Sequence, residues 1–414
     1  MAMIVICTHN VLGASEWGGH MWVYLQYIES LRRLGCEVYW MEDLNSEKDA
    51  RKDANAVGNL ARKLNVFGLS DKLIIFRQVE QAGGGPPEVE FLSTTQAQGS
   101  RIFAQAELLL NFCYFLGPEI LSRFRCAALV DIDPALLQFW MSTGQIAVPP
   151  HDLYFTTGET VGVAGSLIPH CGLPWRRIRP PICLEWWPYA EVPCSEAFTT
   201  VSNWTGHDWL LEDGALVENT KRVAFLPFKD LPRHTPQALE LALWILDEQE
   251  RQLMQDHGWR IRNSGEVAGT PERYRSYIQQ SRGEFSCAKP SCLKWQNAWI
   301  SDRTLCYLAS GRPVVVQDTG PSAVLPNGLG MFRFSTIEDA VEALAAVNKD
   351  YPRHRRAARE LAETYFDGRR ILAGLLDDAL SGAGKMICGY LPPEGVSIGA
   401  ARCSNGDGLN PKKN

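Results

Sequence analysis

No Cys-x-x-Cys pair and no Gly-x-Gly-x-x-Gly fingerprint occurs in the 414 residues, and no apolar run is long enough to span a bilayer. The longest apolar patch, around Leu108 to Leu116, is short and interrupted, which excludes a transmembrane helix there. Missing the glycine fingerprint weakens any dinucleotide-binding reading. Positive charge is also scarce: the formal net charge is −6, with 21% charged residues. Mild acidity argues against a nucleic-acid-binding surface. No charged lead precedes the strand-like Met3-Ile4-Val5-Ile6-Cys7, so a secretory signal of usual form is not expected. The twelve cysteines are scattered and often sit inside apolar runs, as do Cys7, Cys113 and Cys306. Buried reduced thiols in a cytoplasmic protein fit that pattern, and neither a metal site nor a bound cofactor is expected.

What the chain does have is alternation of strand and helix signals. Hydrophobic residues make up 45% of it, and its length suits two domains, each able to bury a core. Met3 to Thr8 reads as a buried strand. A glycine-containing loop follows, then a helix with Trp22, Leu25, Ile28 and Leu31 on one face, stopped at Gly35. Cys36 to Met41 is a second strand ending in Glu42-Asp43. That is the opening βαβ of a doubly wound sheet. Residues 44–100 are polar and read as an insertion with a loop at Gly83-Gly84-Gly85. Ala127 to Asp133 is a strand that delivers two carboxylates, Asp131 and Asp133, before Pro134 opens a helix. A Pro-, Trp- and Arg-rich crossing leads to a second sheet from Ala197 to Ser202. Its further strands are expected at Val223–Leu226, Trp259–Ile261, Phe285–Ser286, Pro313–Gln317 and Met331–Phe334, with helices at Pro236–Gln255 and Ile337–Val347.

The densest stretch runs from Glu284 through Lys289 and Ser301-Asp302-Arg303 to Gly311-Arg312-Pro313-Val314-Val315-Val316, and ends in Gln317-Asp318-Thr319-Gly320. It reads as a helix closed by Gly311, a buried β-branched strand and a polar turn. In open α/β sheets ligands lie beyond the carboxyl ends of strands, so this turn and the charged residues before the helix are where a ligand is met.

Three patches resemble the GT-B glycosyltransferases: Gly18-Gly19-His20-Met21-Trp22 after the first strand, Trp204 and its neighbours, and Glu284, Lys289 with Ala309 to Val315. The resemblance implies an α/β fold of two Rossmann-like domains facing each other across a cleft. Residues 1–182 would take the acceptor, 183–195 would cross between domains, and 196–362 would bind the nucleotide sugar. A helix at 363–380 would return to the N-terminal domain, leaving 381–414 as a loose tail. The implied activity is metal-independent transfer of a sugar from a nucleotide-diphosphate sugar to a small-molecule or saccharide acceptor.

Where retaining members carry a ribose-binding Glu, five residues before the glycine, this chain has Cys306; Asp302 or Arg303 would take over, or the nucleotide is gripped differently. The His-Gly-Gly motif of inverting natural-product enzymes is absent. Lys289 and Arg303 are candidates for the leaving diphosphate, with Ser202, Asn203, Thr205 and Ser301 as nearby donors. Asp318, Thr319 and Gly320 would meet the sugar. For inversion His20 is the candidate base, oriented by Asp131 or Asp133; for retention Glu284 would sit by the donor sugar. The alternatives are a nucleotide-sugar 2-epimerase of the same fold and an inactive sugar- or nucleotide-binding partner protein.

Overall fold

The computed structural model describes residues 2–13, 17–44, 49–81, 87–191, 195–206, 209–212, 214–244 and 247–381. The glycine run at 83–85, residues 192–194 of the expected crossing and the tail beyond 381 lie outside them. The first half contains β1 (Met3–Cys7), α1 (Gly18–Arg33), β2 (Glu37–Asp43), α2 (Ala50–Asn65), β3 (Leu73–Val79), β4 (Glu88–Phe91), α3 (Gln96–Gln105), β5 (Leu108–Asn111), α4 (Pro118–Leu121), β6 (Ala127–Asp131), α5 (Leu136–Ser142), β7 (Leu153–Thr156) and β8 (Trp175–Arg177). They form one eight-stranded sheet in the order β4-β3-β2-β1-β5-β6-β7-β8, parallel except for the β3–β4 edge pair.

The second half begins with β9 (Phe198–Asn203), the hairpin β10 (Trp209–Glu212) and β11 (Ala215–Glu218), α6 (Lys221–Phe225), α7 (Leu231–His234) and β12 (Leu239–Trp244). It continues through α8 (Glu248–Asp256), β13 (Arg260–Asn263), α9 (Ser264–Ala268), α10 (Pro271–Gln280), β14 (Gly283–Ser286), α11 (Pro290–Trp295), α12 (Asp302–Ala309), β15 (Val314–Gln317) and β16 (Met331–Phe334). Helices α13 (Ile337–Lys349), α14 (Tyr351–Tyr365) and α15 (Gly368–Ser381) complete it. Its parallel sheet has the order β13-β12-β9-β14-β15-β16.

Three local expectations are corrected. The helix expected at Pro236–Gln255 is β12 followed by α8, because Leu239, Leu241 and Leu243 are buried between β9 and β13. Tertiary pairing overrides the helical preference of a Leu-, Glu- and Ala-rich segment. The strand expected at Val223–Leu226 lies in α6 and the 3-10 turn after it; Ala224 and Phe225 are apolar because that helix turns them into the core. Residues 44–100 are not a plain insertion: Leu73 to Phe76 is a buried strand run beside β2.

Helix α15 packs on α1, and a parallel bridge joins Ile182 to Asp367. Two arginines of α14 hold the crossing between the sheets: Arg355 donates to the Ala190 and Gly311 carbonyls, Arg359 to those of Trp187 and Ala309. The pair Gly18-Gly19, expected as a ligand loop, serves packing. A Cβ on Gly18 would strike the Thr270 backbone, and one on Gly19 would lie 2.6 Å from the Tyr274 ring. Trp22 Nε1 donates to the Pro271 carbonyl at 2.8 Å, closing the same seam between α1 and α10. Among the described residues the nine cysteines are free, and no helix is long and apolar enough to cross a membrane.

Candidate functional site

Strand order reverses between β1 and β5 in the first sheet and between β9 and β14 in the second. Crevices form at such switch points, outside the carboxyl ends of the strands. In the second sheet the crevice is a small pocket lined by Lys221, Ser286, Ser301, Arg303, Gln317 and Thr319. It holds about 20 Å³, room for roughly one water molecule.

Arg303 and Glu284 meet each other. Arg303 Nε donates to Glu284 Oε1 at 2.7 Å, Nη2 to Ser286 Oγ at 2.6 Å and Nη1 to the Val201 carbonyl at 3.1 Å. Glu284 is fully buried and Arg303 is 8% exposed. The guanidinium thus straps the ends of β9 and β14 together beneath the pocket. This geometry withdraws Glu284 from the position beside a donor sugar that was expected of it.

Beside Arg303 the pocket is lined by a second cation, Lys221, which the sequence reading missed. It opens α6, and its Nζ donates to the Cys287 carbonyl. Burial, aided by the Arg303 charge, pushes its ammonium down to about 8. Lys289 lies at the rim and reaches across the cleft to Asp133 Oδ2 at 3.3 Å.

Asp131 is buried below that rim. Its Oδ2 accepts from Gln138 Nε2 and Thr156 Oγ1, each at 2.7 Å, and its Oδ1 accepts from the Asp133 backbone N–H at 3.0 Å. Asp131 therefore positions Asp133, and it makes no hydrogen bond to His20 among the described residues. Burial raises its carboxyl to about 6 from the ordinary 3.8, against the pull of those hydrogen bonds. Between these values the folded state keeps a proton that the unfolded state has lost, so this group makes stability fall as pH rises from about 4 to about 6. Asp131→Asn is expected to flatten that slope; urea midpoints measured at pH 4, 5, 6 and 7 check it.

His20 stands in the first turn of α1, and its Nε2 donates to the His9 carbonyl at 2.7 Å. That bond places the ring proton on Nε2 and leaves Nδ1 as the basic nitrogen. Burial lowers its basicity, and Asp302 opposes the shift. Asp302 opens α12, and burial raises its carboxyl while Arg303 and His20 pull it down. The charge of Asp302, from the second half, is thus felt at His20 in the first. Tyr27 sits at the same junction, near Asp302 and Asp131, with a buried hydroxyl that has no hydrogen-bond partner.

Other expected residues have structural duties. Trp204 is 1% exposed, packs near Phe225 and donates from Nε1 to Glu250, so its ring lies in the core and cannot stack on a ligand. Ser202 donates to the Asn203 carbonyl, and Asn203 is exposed at the strand end. Ser301 caps α12 by accepting from the Arg303 N–H at 3.3 Å. Asp318 accepts from the Gly320 N–H at 3.0 Å. Thr319 donates to the Trp299 carbonyl at 2.9 Å, and its own carbonyl accepts from the Ala298 N–H at 2.9 Å. Gly320, at φ 111°, touches Gln296, where a Cβ would come within 2.7 Å. This turn clamps a loop in which Gln296 and Ala298 both adopt left-handed conformations, at φ 46° and 52°. Such backbone persists where the surroundings over-determine it. The loop also reaches the first sheet's side: Asn297 Nδ2 donates to the Pro134 carbonyl at 2.9 Å, and Thr160 Oγ1 to the Gln296 carbonyl at 3.2 Å. Among the described residues no group of three or more His, Cys, Asp or Glu is placed to hold a metal ion.

Neither a protein-family model nor a curated protein matches the sequence. Solved structures do match in shape. An α-glucosyltransferase in complex with UDP and DNA containing an HMU base superposes with a TM-score of 0.58 at 10% identity, over 92% of this chain and 99% of that one. HepE from Anabaena, in complex with UDP and glucose, gives 0.53 at 12% identity over 91% and 99%. AviGT4, a glycosyltransferase involved in avilamycin A biosynthesis, gives 0.52 at 12% identity over 93% and 98%. The chain has the GT-B fold. Its two Rossmann-like domains face each other across a cleft, as the resemblance implied.

Proposed function

We propose that this chain transfers a sugar from a nucleotide-diphosphate sugar, with UDP as the nucleotide, to an acceptor hydroxyl. The observation that carries the reading is the buried cation Lys221 in the pocket at the second sheet's switch point, with Lys289 reaching from the loop after β14 to Asp133 of the first half. UDP is proposed because it is the nucleotide bound in the α-glucosyltransferase and HepE structures.

In the transfer the acceptor oxygen bonds to the anomeric carbon, the bond from that carbon to the diphosphate oxygen breaks, and the diphosphate leaves with the electron pair. Lys221 and Lys289 offset its charge, which is the work that a metal ion performs elsewhere. With inversion, His20 Nδ1 takes the acceptor proton. With retention, a donor phosphate oxygen takes it and His20 hydrogen-bonds the sugar. The anomer of the product, read by NMR, separates the two. Glu284 and Asp131 are buried and bonded within the fold, which leaves a 2-epimerase short of the converging acids it needs. The DNA belongs to the α-glucosyltransferase complex. At net charge −6 a nucleic-acid acceptor is not part of this proposal.

The test is a thermal-shift panel of UDP, TDP, GDP, ADP and NAD, because a ligand that binds only the folded state raises the melting point by mass action. A rise with UDP is expected; a rise with NAD alone, or with nothing, removes the reading. UDP binding without turnover of any donor would favour the inactive-partner alternative. His20→Ala is expected to lower kcat by about 10²–10⁴-fold with little change in donor KM. Steady-state rates with the donor varied check this. The wild-type rate should also fall on the acid side, below the ordinary histidine value of 6.5, because burial lowers His20.

A further inference from the structure

The loops after β1 and β5 carry an exposed aromatic strip that the transfer chemistry above does not use. Trp17 is 40% exposed and Phe115 60% exposed, both at the carboxyl edge of the first sheet's switch point. They are joined through the histidines. The Trp17 ring meets His20 edge-on at 6.5 Å, and Phe115 lies 6.2 Å from the exposed His9, whose carbonyl holds His20. Large rings left in solvent beside a reactive nitrogen are neither core nor surface scatter; they present apolar faces to whatever approaches His20.

Polar groups flank the strip. Gln78 Nε2 donates to Asp43 Oδ2 at 2.8 Å, at the ends of β3 and β2. A Cβ on Gly117, two residues after Phe115, would lie 2.9 Å from Glu119 Oε2 and 3.8 Å from Gln78 Oε1. Amide and carboxylate oxygens therefore lie beside the Gly117 backbone, in the loop that carries Phe115. The arginine that influences Asp43 is Arg77, which is buried in a 2.6 Å pair with Asp53. Arg123 turns to the Glu119 carbonyl.

We propose that Trp17 and Phe115, with Asp43, Gln78 and Glu119, form the acceptor subsite, and that the acceptor is an uncharged saccharide. A pyranose has an apolar C–H face that lies on an aromatic ring and an edge of hydroxyls that donate to carboxylate and amide oxygens. A phosphorylated acceptor would meet carboxylates where it needs cations, and a flat aromatic aglycone offers those oxygens fewer hydroxyl donors than a saccharide does. The proposal rests on the transferase reading for the word acceptor, but binding itself is measured separately.

The experiment is saturation-transfer NMR on the UDP-saturated protein, with a panel of methyl hexopyranosides and the corresponding trisaccharides, and a flavonol as the planar comparison. Saturation is expected on the ring C–H protons of at least one saccharide. Trp17→Ala and Phe115→Ala should each weaken its binding by about tenfold, while the UDP-induced melting shift is unchanged. Both side chains are exposed, so the fold tolerates their loss. The inference is overturned if no saccharide binds, if only the flavonol does, or if saccharide binding is the same in both variants. A missing UDP shift with saccharide binding intact would instead remove the transferase reading and leave the sugar subsite standing.

Discussion

Lys221→Ala is expected to abolish the UDP-dependent rise in melting temperature and to lower donor kcat/KM by about 10²–10³-fold, the usual cost of losing one oriented group that meets developing charge. Lys221 opens α6 with its ammonium inside the pocket, in reach of Arg303 and Lys289. Three cations gathered there repel one another, and a diphosphate relieves that repulsion while gaining charge-assisted hydrogen bonds. The same crowding gives the effect a pH signature. Burial holds the group near 8 rather than the ordinary 10.5, so the free protein loses this cation as pH rises through about 8. Donor KM should therefore climb above pH 8 in the wild type and stay flat there in Lys221→Ala. Isothermal titration with UDP at pH 7 and 9 is the direct measurement. Equal affinity in variant and wild type would put the diphosphate elsewhere.

Arg303→Met is expected to act on stability first. It leaves the fully buried Glu284 carboxylate without its partner, and breaking one side of a buried pair costs about 3–5 kcal/mol. It also frees the ends of β9 and β14, which the guanidinium joins through Val201 and Ser286. The double variant Arg303→Met with Glu284→Gln should regain much of that loss, because no charge is then stranded. Thermal and urea melts of the single and double variants read this. A strap and a phosphate ligand predict opposite patterns: if Arg303→Met melts like the wild type but loses UDP binding, Arg303 faces the nucleotide and the strut assignment is wrong.

The parts of the site that were legible in the sequence are those set by local periodicity. The Val314–Gln317 strand, with Gly311 before it and Asp318-Thr319-Gly320 after it, follows from β-branched burial and turn chemistry. What the local pattern did not carry was the direction in which several side chains turn. An aromatic at a strand end reads the same whether it turns outward or, like Trp204, into the core. Gly18-Gly19 read as a loop for a ligand because glycine marks close approach without saying of what; here it is the backbone and ring of α10's start. Lys221 escaped notice because the apolar run after it reads as strand, whereas it is the buried face of a short helix. The meeting of Arg303 with Glu284 and the influence of Asp302 on His20 depend on strand order and domain packing, which no local pattern carries.

The glycine seam between α1 and α10 is one of two places where the halves are pinned together. On one side, backbone touches ring and backbone with no side chain between, and Trp22 is sealed among Phe67, Trp186 and Trp187. On the other, polar contacts of Lys289 with Asp133, Thr160 with Gln296, and Glu159 with Ser322 and Ala323 surround an apolar cluster in which Trp295 packs with Phe139, Leu136 and Val161. Dry close packing does not exchange for water at little cost, so both sides hold. The two halves are thus pinned like a frame at two corners, with His20 beside one and Lys289 beside the other. A frame pinned at two corners keeps its width, so the histidine keeps its bearing toward the pocket.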